Sequence, residues 1–135
     1  MNFEERYFNR FNFDKSQTKK HLANALKDIQ IAKTDKILDV KFTYAYSALL
    51  KTGIALLSHH QIKAKSIPGH HVKIIEKLAE ILNDDSINDI GNAMRLKRNI
   101  GMYSGGIEIT EKECCEFIDF VSNVISKVKI IIYSH

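Results

Sequence analysis

Proline, glycine and cysteine are scarce in this sequence. Its 135 residues include one proline, six glycines and two cysteines. So little proline and glycine argues against a long disordered linker within the chain. The two cysteines, Cys114 and Cys115, are neighbours, and neighbouring cysteines rarely form a disulfide and match no zinc-binding spacing. We therefore expect ordinary helix residues with free thiols in a reducing compartment.

Long apolar runs are missing as well. No run approaches the roughly 20 residues of a membrane-spanning helix, and even the apolar stretch 128–133 is interrupted by Lys129. Charged residues, Glu4, Glu5 and Arg6, stand where a secretory signal peptide would become apolar. The sequence therefore predicts a cytoplasmic protein that does not enter a membrane.

Charge of one sign is not concentrated anywhere in the chain. The net charge is +4 and the isoelectric point about 9.0. Acidic residues are nevertheless spread throughout, and no block of five like charges exists. A mildly basic protein favours a polyanion partner such as RNA, but a solvated surface explains the charge almost as well.

The motifs of common nucleotide-binding and hydrolytic sites are also absent. There is no GxGxxG, P-loop, GxSxG or HExxH sequence. Four histidines form two adjacent pairs, at 59–60 and 70–71. Neighbouring side chains on a helix diverge by about 100°, and no cysteine or carboxylate completes a metal-binding spacing. We predict neither a metal site nor a cofactor.

What the sequence does contain is helical periodicity. Apolar residues recur at spacings of three and four along most of the chain, which is typical of amphipathic helices. Ser86 with Asp89, and Thr110 with Glu113, have the spacing of capping boxes at helix starts. Five helices are predicted, and their starting signals are Asp14 or Ser16, residues 34–35, His70, Ser86 and Thr110.

The predicted fold class is all-α, an up-and-down bundle of four to five antiparallel helices. We expect one domain over residues 1–135, with an N-terminal extension at 1–14 and a core at about 15–132. Residues 60–69 carry the only proline and are expected to form a loop. Strand-like alternation is confined to the brief stretch 106–109.

Two further features predict contacts between elements. Gly53 lies inside the second helix, where glycine costs about 1 kcal/mol relative to alanine, so we expect a neighbouring helix to approach closely there. The aromatic residues of the N-terminal extension have helical spacing. Packing on the bundle is favoured for them over contact with a second subunit. They are Phe3, Tyr7, Phe8 and Phe11.

The connections between helices are short, so consecutive helices should run antiparallel. In that topology the start of the third helix and the end of the fourth lie at the same end of the bundle. We therefore expect residues 68–71 to meet Arg98, Asn99 and Tyr103. Arg98 also projects onto the edge of the apolar stripe that contains Ile87, where an arginine needs a carboxylate, carbonyl or phosphate partner.

Three stretches together resemble HEPN domains. Residues 42–50, continuing to Leu57, resemble the long helix of that family. Residues 66–71 look like its loop ending in Gly-His-His, and residues 95–103 resemble its Arg-Asn-x-x-x-His or Arg-Asn-x-x-x-Tyr signature. The resemblance covers about residues 22–125, and the order, spacing and helical setting of the motifs agree with the family.

The resemblance implies a HEPN-like bundle that is commonly a homodimer. Many HEPN proteins are RNA-cutting toxins or antiphage effectors, often encoded beside a small nucleotidyltransferase partner. In the nuclease members, the signature arginine and histidine of two subunits form one metal-independent site. The residues that the resemblance assigns to binding of RNA or a nucleotide are Gly69, Arg95, Arg98 and Asn99.

The sequence departs from the nuclease pattern at one position, because Tyr103 stands five residues after Arg98 where the histidine is expected. An imidazole accepts and donates protons near neutral pH, whereas a phenol releases its proton far less readily. Arg98 would still stabilise a phosphorane, but His70 or His71 would have to move the protons. The candidate catalytic residues are therefore Arg98, Tyr103, His70 and His71.

The missing histidine favours a non-catalytic or weakly active module that binds a nucleotide, RNA or a protein partner in a toxin–antitoxin or phage-defence type of system. The alternative is a metal-independent RNase toxin in which Arg98 and Tyr103 are assisted by His70 or His71. A third hypothesis is that a partner nucleotidyltransferase modifies Tyr103, which lies in a glycine-flanked turn.

Overall fold

A computed structural model describes residues 4–134 of the chain. Within these residues five helices form a bundle, with a small two-stranded sheet at one side, so the predicted helical bundle is confirmed at this level. In chain order the elements are β1 (Phe8–Arg10), α1 (Lys15–Thr34), α2 (Leu38–His59), β2 (Ile62–Ala64), α3 (His70–Leu82), α4 (Asp85–Ser104) and α5 (Glu111–Tyr133).

Three of the helices, α1, α4 and α5, begin at a side chain that accepts hydrogen bonds from free backbone amides. Asp14 caps α1 in a capping box with Gln17, and Thr110 caps α5 in the predicted box with Glu113. The predicted box of Ser86 and Asp89 is wrong. Asp84 is the capping residue of α4, and its carboxylate accepts from the amide and the hydroxyl of Ser86.

The two strands correct the expectation of a purely helical chain with a loop at 60–69. β1 and β2 pair antiparallel, with Phe8 opposite Ala64 and Arg10 opposite Ile62. Each strand has three residues, too few for alternation to be recognised in the sequence. The stretch 106–109, which has some alternation, forms no strand.

The N-terminal aromatic residues behave differently from one another. Phe8 is buried against Leu57, Ile62 and Ile74, so it packs on the bundle as expected. Phe11 remains 43% exposed, and Phe3 lies outside the described residues. The helical spacing of these aromatics was misleading, because β1 occupies part of the segment.

Helix α2 is the central element and packs against the other four helices. Its apolar stripe is buried, apart from the partly buried Leu38, and forms the main core with α1 and α5. The buried members are Phe42, Ala45, Leu49 and Leu56. At Gly53 a Cβ atom would lie 2.5 Å from Cγ2 of Ile74 on α3. The predicted close approach of a neighbouring helix is therefore confirmed. In the part of the chain that is described, no helix combines the length and the apolarity needed to cross a bilayer.

Candidate functional site

The start of α3 and the second half of α4 lie side by side, as the topology predicted. The segment 66–72 and the side chains of Arg95 and Asn99 line a shallow cleft of about 330 Å³. We call it the arginine cleft. Gly69, His70 and His71, which were singled out from the sequence, all line it.

The cleft wall on the α3 side is shaped by a left-handed glycine. Gly69 is the residue before α3 and has φ of 86°, a conformation that side chains other than glycine rarely adopt. The carbonyl oxygen of Ile67 lies 3.1 Å from the backbone nitrogen of His70 and 2.7 Å from its Nδ1. A carbonyl only accepts, so Nδ1 of His70 is the donor in this contact.

His71 is held by a residue that the sequence analysis did not include in the site. Its Nδ1 lies 3.2 Å from the phenol oxygen of Tyr46, a buried residue of α2. Burial, together with the positive charges of His70, Arg98 and Arg95, lowers the pKa of His71 below its usual value of 6.5. Burial raises the pKa of Tyr46 to about 12. At neutral pH both groups are therefore uncharged.

One signal in the sequence pointed to Tyr46. It belongs to the apolar stretch that resembles the family's long helix, where a phenol requires a hydrogen-bond partner once it is buried. The sequence could not identify that partner, because His71 is 25 residues away along the chain.

The two arginines of α4, Arg95 and Arg98, are about one helical turn apart. The guanidinium carbon of Arg98 lies 5.7 Å from the centre of the Tyr46 ring, within range of a cation–π interaction. Nε of Arg95 donates to Oδ1 of Asn92 on the same helix, at 3.3 Å. Within residues 4–134 neither arginine forms a salt bridge. Arg98 thus lies beside the cleft, on the ring of Tyr46, while Arg95 lines it.

Tyr103 does not join this cluster in its own chain. It is 92% exposed in the last turn of α4 and lines no part of the cleft. Five residues of helix correspond to a rotation of roughly 140°, which places Tyr103 on a different face from Arg98. The expected meeting of Tyr103 with residues 68–71 is therefore wrong at the level of one chain.

Among the described residues, no group of three or more His, Cys, Asp or Glu side chains is placed to hold a metal ion. Comparison of the chain with known protein families, with curated proteins and with solved structures finds no match. The chemistry of the arginine cleft must therefore be argued from its own side chains.

Proposed function

We propose that the chain is a HEPN-like module that binds a phosphate group of RNA or of a nucleotide in the arginine cleft. The observation that carries this proposal is the pair Arg95 and Arg98. Two guanidinium groups one turn apart, without a carboxylate partner in residues 4–134, leave positive charge available to a ligand. Guanidinium forks match the geometry of phosphate oxygens.

The opposite wall of the cleft supplies further donors. The first-turn amides of a helix have no acceptor within that helix, and they attract anions together with the helix dipole. His71 and Val72 lie in the first turn of α3 and line the cleft. The side-chain amide of Asn99 adds a neutral donor from the α4 side.

Binding of a fluorescently labelled single-stranded RNA, followed by anisotropy at several salt concentrations, tests the proposal. Arg95→Gln and Arg98→Gln should each weaken binding and reduce the salt slope by about one. Lys129→Gln is the matched control, since Lys129 is exposed on α5 and does not line the cleft. Equal binding by all four proteins, the parent included, would refute this function.

We further propose that the protein is a non-catalytic or weakly active member of a toxin–antitoxin or phage-defence type of system. In this proposal it acts in the cytoplasm as a homodimer. Exposed apolar side chains on one face of α4 support contact with a second copy. Leu96 is 51% exposed, Ile100 65% and Tyr103 92%, and their spacing of four and three places them on one stripe. Sedimentation of the parent and of Ile100→Lys tests the dimer, which the lysine should dissociate.

A metal-independent RNase is the second candidate, and the neutral imidazole of His71 near Arg98 favours it. A neutral imidazole can take the proton of the 2′-hydroxyl as that oxygen attacks the phosphorus, and Arg98 stabilises the phosphorane. The imidazolium then returns the proton to the 5′-oxygen as its bond to phosphorus breaks, which leaves a 2′,3′-cyclic phosphate. Tyr103 would have to act in the cleft of a second copy. Incubation of total RNA with the parent and with His70→Ala/His71→Ala, each with and without chelator, tests this candidate. Chelator-resistant cleavage that the double variant abolishes would establish it.

Modification of Tyr103 by a partner nucleotidyltransferase is a third candidate, supported by the exposure of the phenol. Incubation with a nucleotidyltransferase, if one is encoded beside this gene, and a labelled nucleoside triphosphate should label the parent and not Tyr103→Phe. Tyr133→Phe is the control, since Tyr133 is also exposed.

A further inference from the structure

A second cavity adjoins the arginine cleft. It has a volume of about 430 Å³, which lies in the range of small-molecule sites. Ser66, His70 and His71 line both the cavity and the cleft. A ligand that occupies the cavity can therefore extend over the two imidazoles into the cleft.

The lining of this cavity combines aromatic and aliphatic side chains. In its aromatic wall, the rings of Phe11 and Phe13 lie 4.7 Å apart, and the imidazole of His21 meets Phe13 edge to face at 5.9 Å. Leu50 and Ile54 of α2 are among the aliphatic residues that line it. We call this space the aromatic cavity.

Polar residues also line the aromatic cavity, among them His21 and Ser66, which form its polar rim. Burial lowers the pKa of His21, so its ring is neutral at physiological pH. A neutral imidazole offers one donor and one acceptor, and the contact recorded for the His21 ring within residues 4–134 is that with Phe13. The hydroxyl of Ser66 lies where the cavity meets the cleft.

We infer that the aromatic cavity binds the base of a phosphorylated nucleoside whose phosphate lies in the arginine cleft. Heterocyclic bases stack on aromatic side chains whatever their identity, and they carry the donors and acceptors that the rim can satisfy. The positive charge that balances the phosphate comes from Arg95, which lines the cleft, and from Arg98, which lies beside it on the ring of Tyr46. This inference rests on the proposed function and specifies its ligand: one nucleotide, either free or at an accessible position in single-stranded RNA.

The parent chain lacks tryptophan, so one introduced indole is a specific reporter of stacking. Phe11→Trp places it in the aromatic wall, where the native ring is already 43% exposed. Tyr133→Trp, at a site that is 53% exposed and outside the cavity, is the matched control. The probes are AMP, ribose 5-phosphate, octyl phosphate and a single-stranded hexa-adenylate.

AMP should quench the indole in Phe11→Trp and not in Tyr133→Trp. In the parent chain it should bind about tenfold more tightly than ribose 5-phosphate, the typical gain from stacking one base. Phe13→Leu keeps an apolar wall but removes an aromatic ring. In this variant AMP should bind no more tightly than ribose 5-phosphate, whose affinity should be unchanged. Quenching by hexa-adenylate alone would also support the inference and would assign the base to RNA.

Equal affinities for AMP and ribose 5-phosphate, without quenching by AMP or by hexa-adenylate, would overturn the base site and leave phosphate binding in the cleft intact. Tighter binding of octyl phosphate than of AMP would overturn it in favour of an alkyl chain. Failure of every probe to bind would overturn the proposed function together with this inference.

Discussion

The phenol oxygen of Tyr46 lies 3.2 Å from Nδ1 of His71, and this contact joins the middle of α2 to the first turn of α3. The Tyr46 ring is also the surface on which the guanidinium group of Arg98 rests. One buried side chain therefore positions an imidazole and a cation at the same side of the arginine cleft.

Replacement of Tyr46 by phenylalanine tests this positioning. Tyr46→Phe keeps the ring beneath Arg98 and removes the hydrogen bond to His71, so we expect a loss of about 1 kcal/mol in the free energy of unfolding. Urea unfolding measures this loss, and the NMR chemical shifts of the His71 ring report the loss of the hydrogen bond. Tyr44→Phe, in a partly buried residue of the same helix, should leave both readouts unchanged. A stability equal to that of the parent would show that the hydrogen bond contributes nothing.

The free energy of unfolding should fall as the pH is lowered from about 7.5 to 5. The pKa of His71 is lowered in the folded state by burial and by His70, Arg98 and Arg95. Between that lowered value and the ordinary value near 6.5, the unfolded chain binds more protons, so acid favours unfolding. The contribution of His71 is fully present above pH 6.5 and is lost as the pH falls through this window.

Two variants test whether this pH dependence of the free energy of unfolding comes from His71. Arg98→Gln removes one of the charges that lower the pKa of His71, so NMR titration should show this pKa shifted upward. His71→Gln should give a shallower decline of stability with acid, measured by urea unfolding at each pH. The remaining decline would come from other groups, including His21, whose pKa is also lowered by burial. An unchanged slope in His71→Gln would contradict this assignment.

Gly53→Ala should destabilise the protein despite the better helix propensity of alanine. Its Cβ would lie 2.5 Å from Cγ2 of the buried Ile74, and a branched side chain has few ways to move aside. Overpacking of this kind outweighs the gain in propensity, with a net loss of about 1–2 kcal/mol. Thermal or urea unfolding measures it.

A double variant tests whether the destabilisation by Gly53→Ala comes from the contact with Ile74. Ile74→Leu removes the branch at Cβ, so Gly53→Ala should cost less in that background than in the parent. Identical costs in the two backgrounds would show that the contact between Gly53 and Ile74 is not the cause.

Gln61→Ala should loosen the aromatic segment at residues 11–13. The side chain of Gln61 accepts from the amide of Phe13 at 2.7 Å and donates to its carbonyl oxygen at 3.1 Å. Loss of these bonds should cost about 1 kcal/mol and accelerate hydrogen exchange at Phe13. Gln30→Ala, in an exposed residue of α1, is the control. Unchanged exchange at Phe13 would mean that the segment is held by other contacts.

Much of the fold was accessible from the sequence because helices depend on local signals. Apolar spacing predicted five helices, and the predicted start of the third helix at His70 agrees with the structure. The position of Gly53 predicted a close contact with a neighbouring helix, but it did not identify Ile74 as the contacting residue. The strands escaped prediction because β1 and β2 are short and their pairing joins residues more than 50 positions apart.

The candidate site was likewise predicted only in part from the sequence. Short helix connections were sufficient to place residues 69–71 beside the end of α4, since topology depends on loop lengths. The sequence did not predict with the same accuracy which face of its helix each side chain occupies. Tyr103 is exposed on another face, and Arg98 rests on Tyr46 rather than in the cleft.

By itself, the sequence determined the helical bundle, the close approach of a helix at Gly53 and the end of the bundle where the polar residues gather. Only the tertiary structure decided which of those residues touch, and it added Tyr46 and the aromatic cavity. The physical reason is that helix formation and short connections depend on neighbours along the chain. The partners of His71 and Phe13 come instead from distant segments, Tyr46 and Gln61, that only packing brings together.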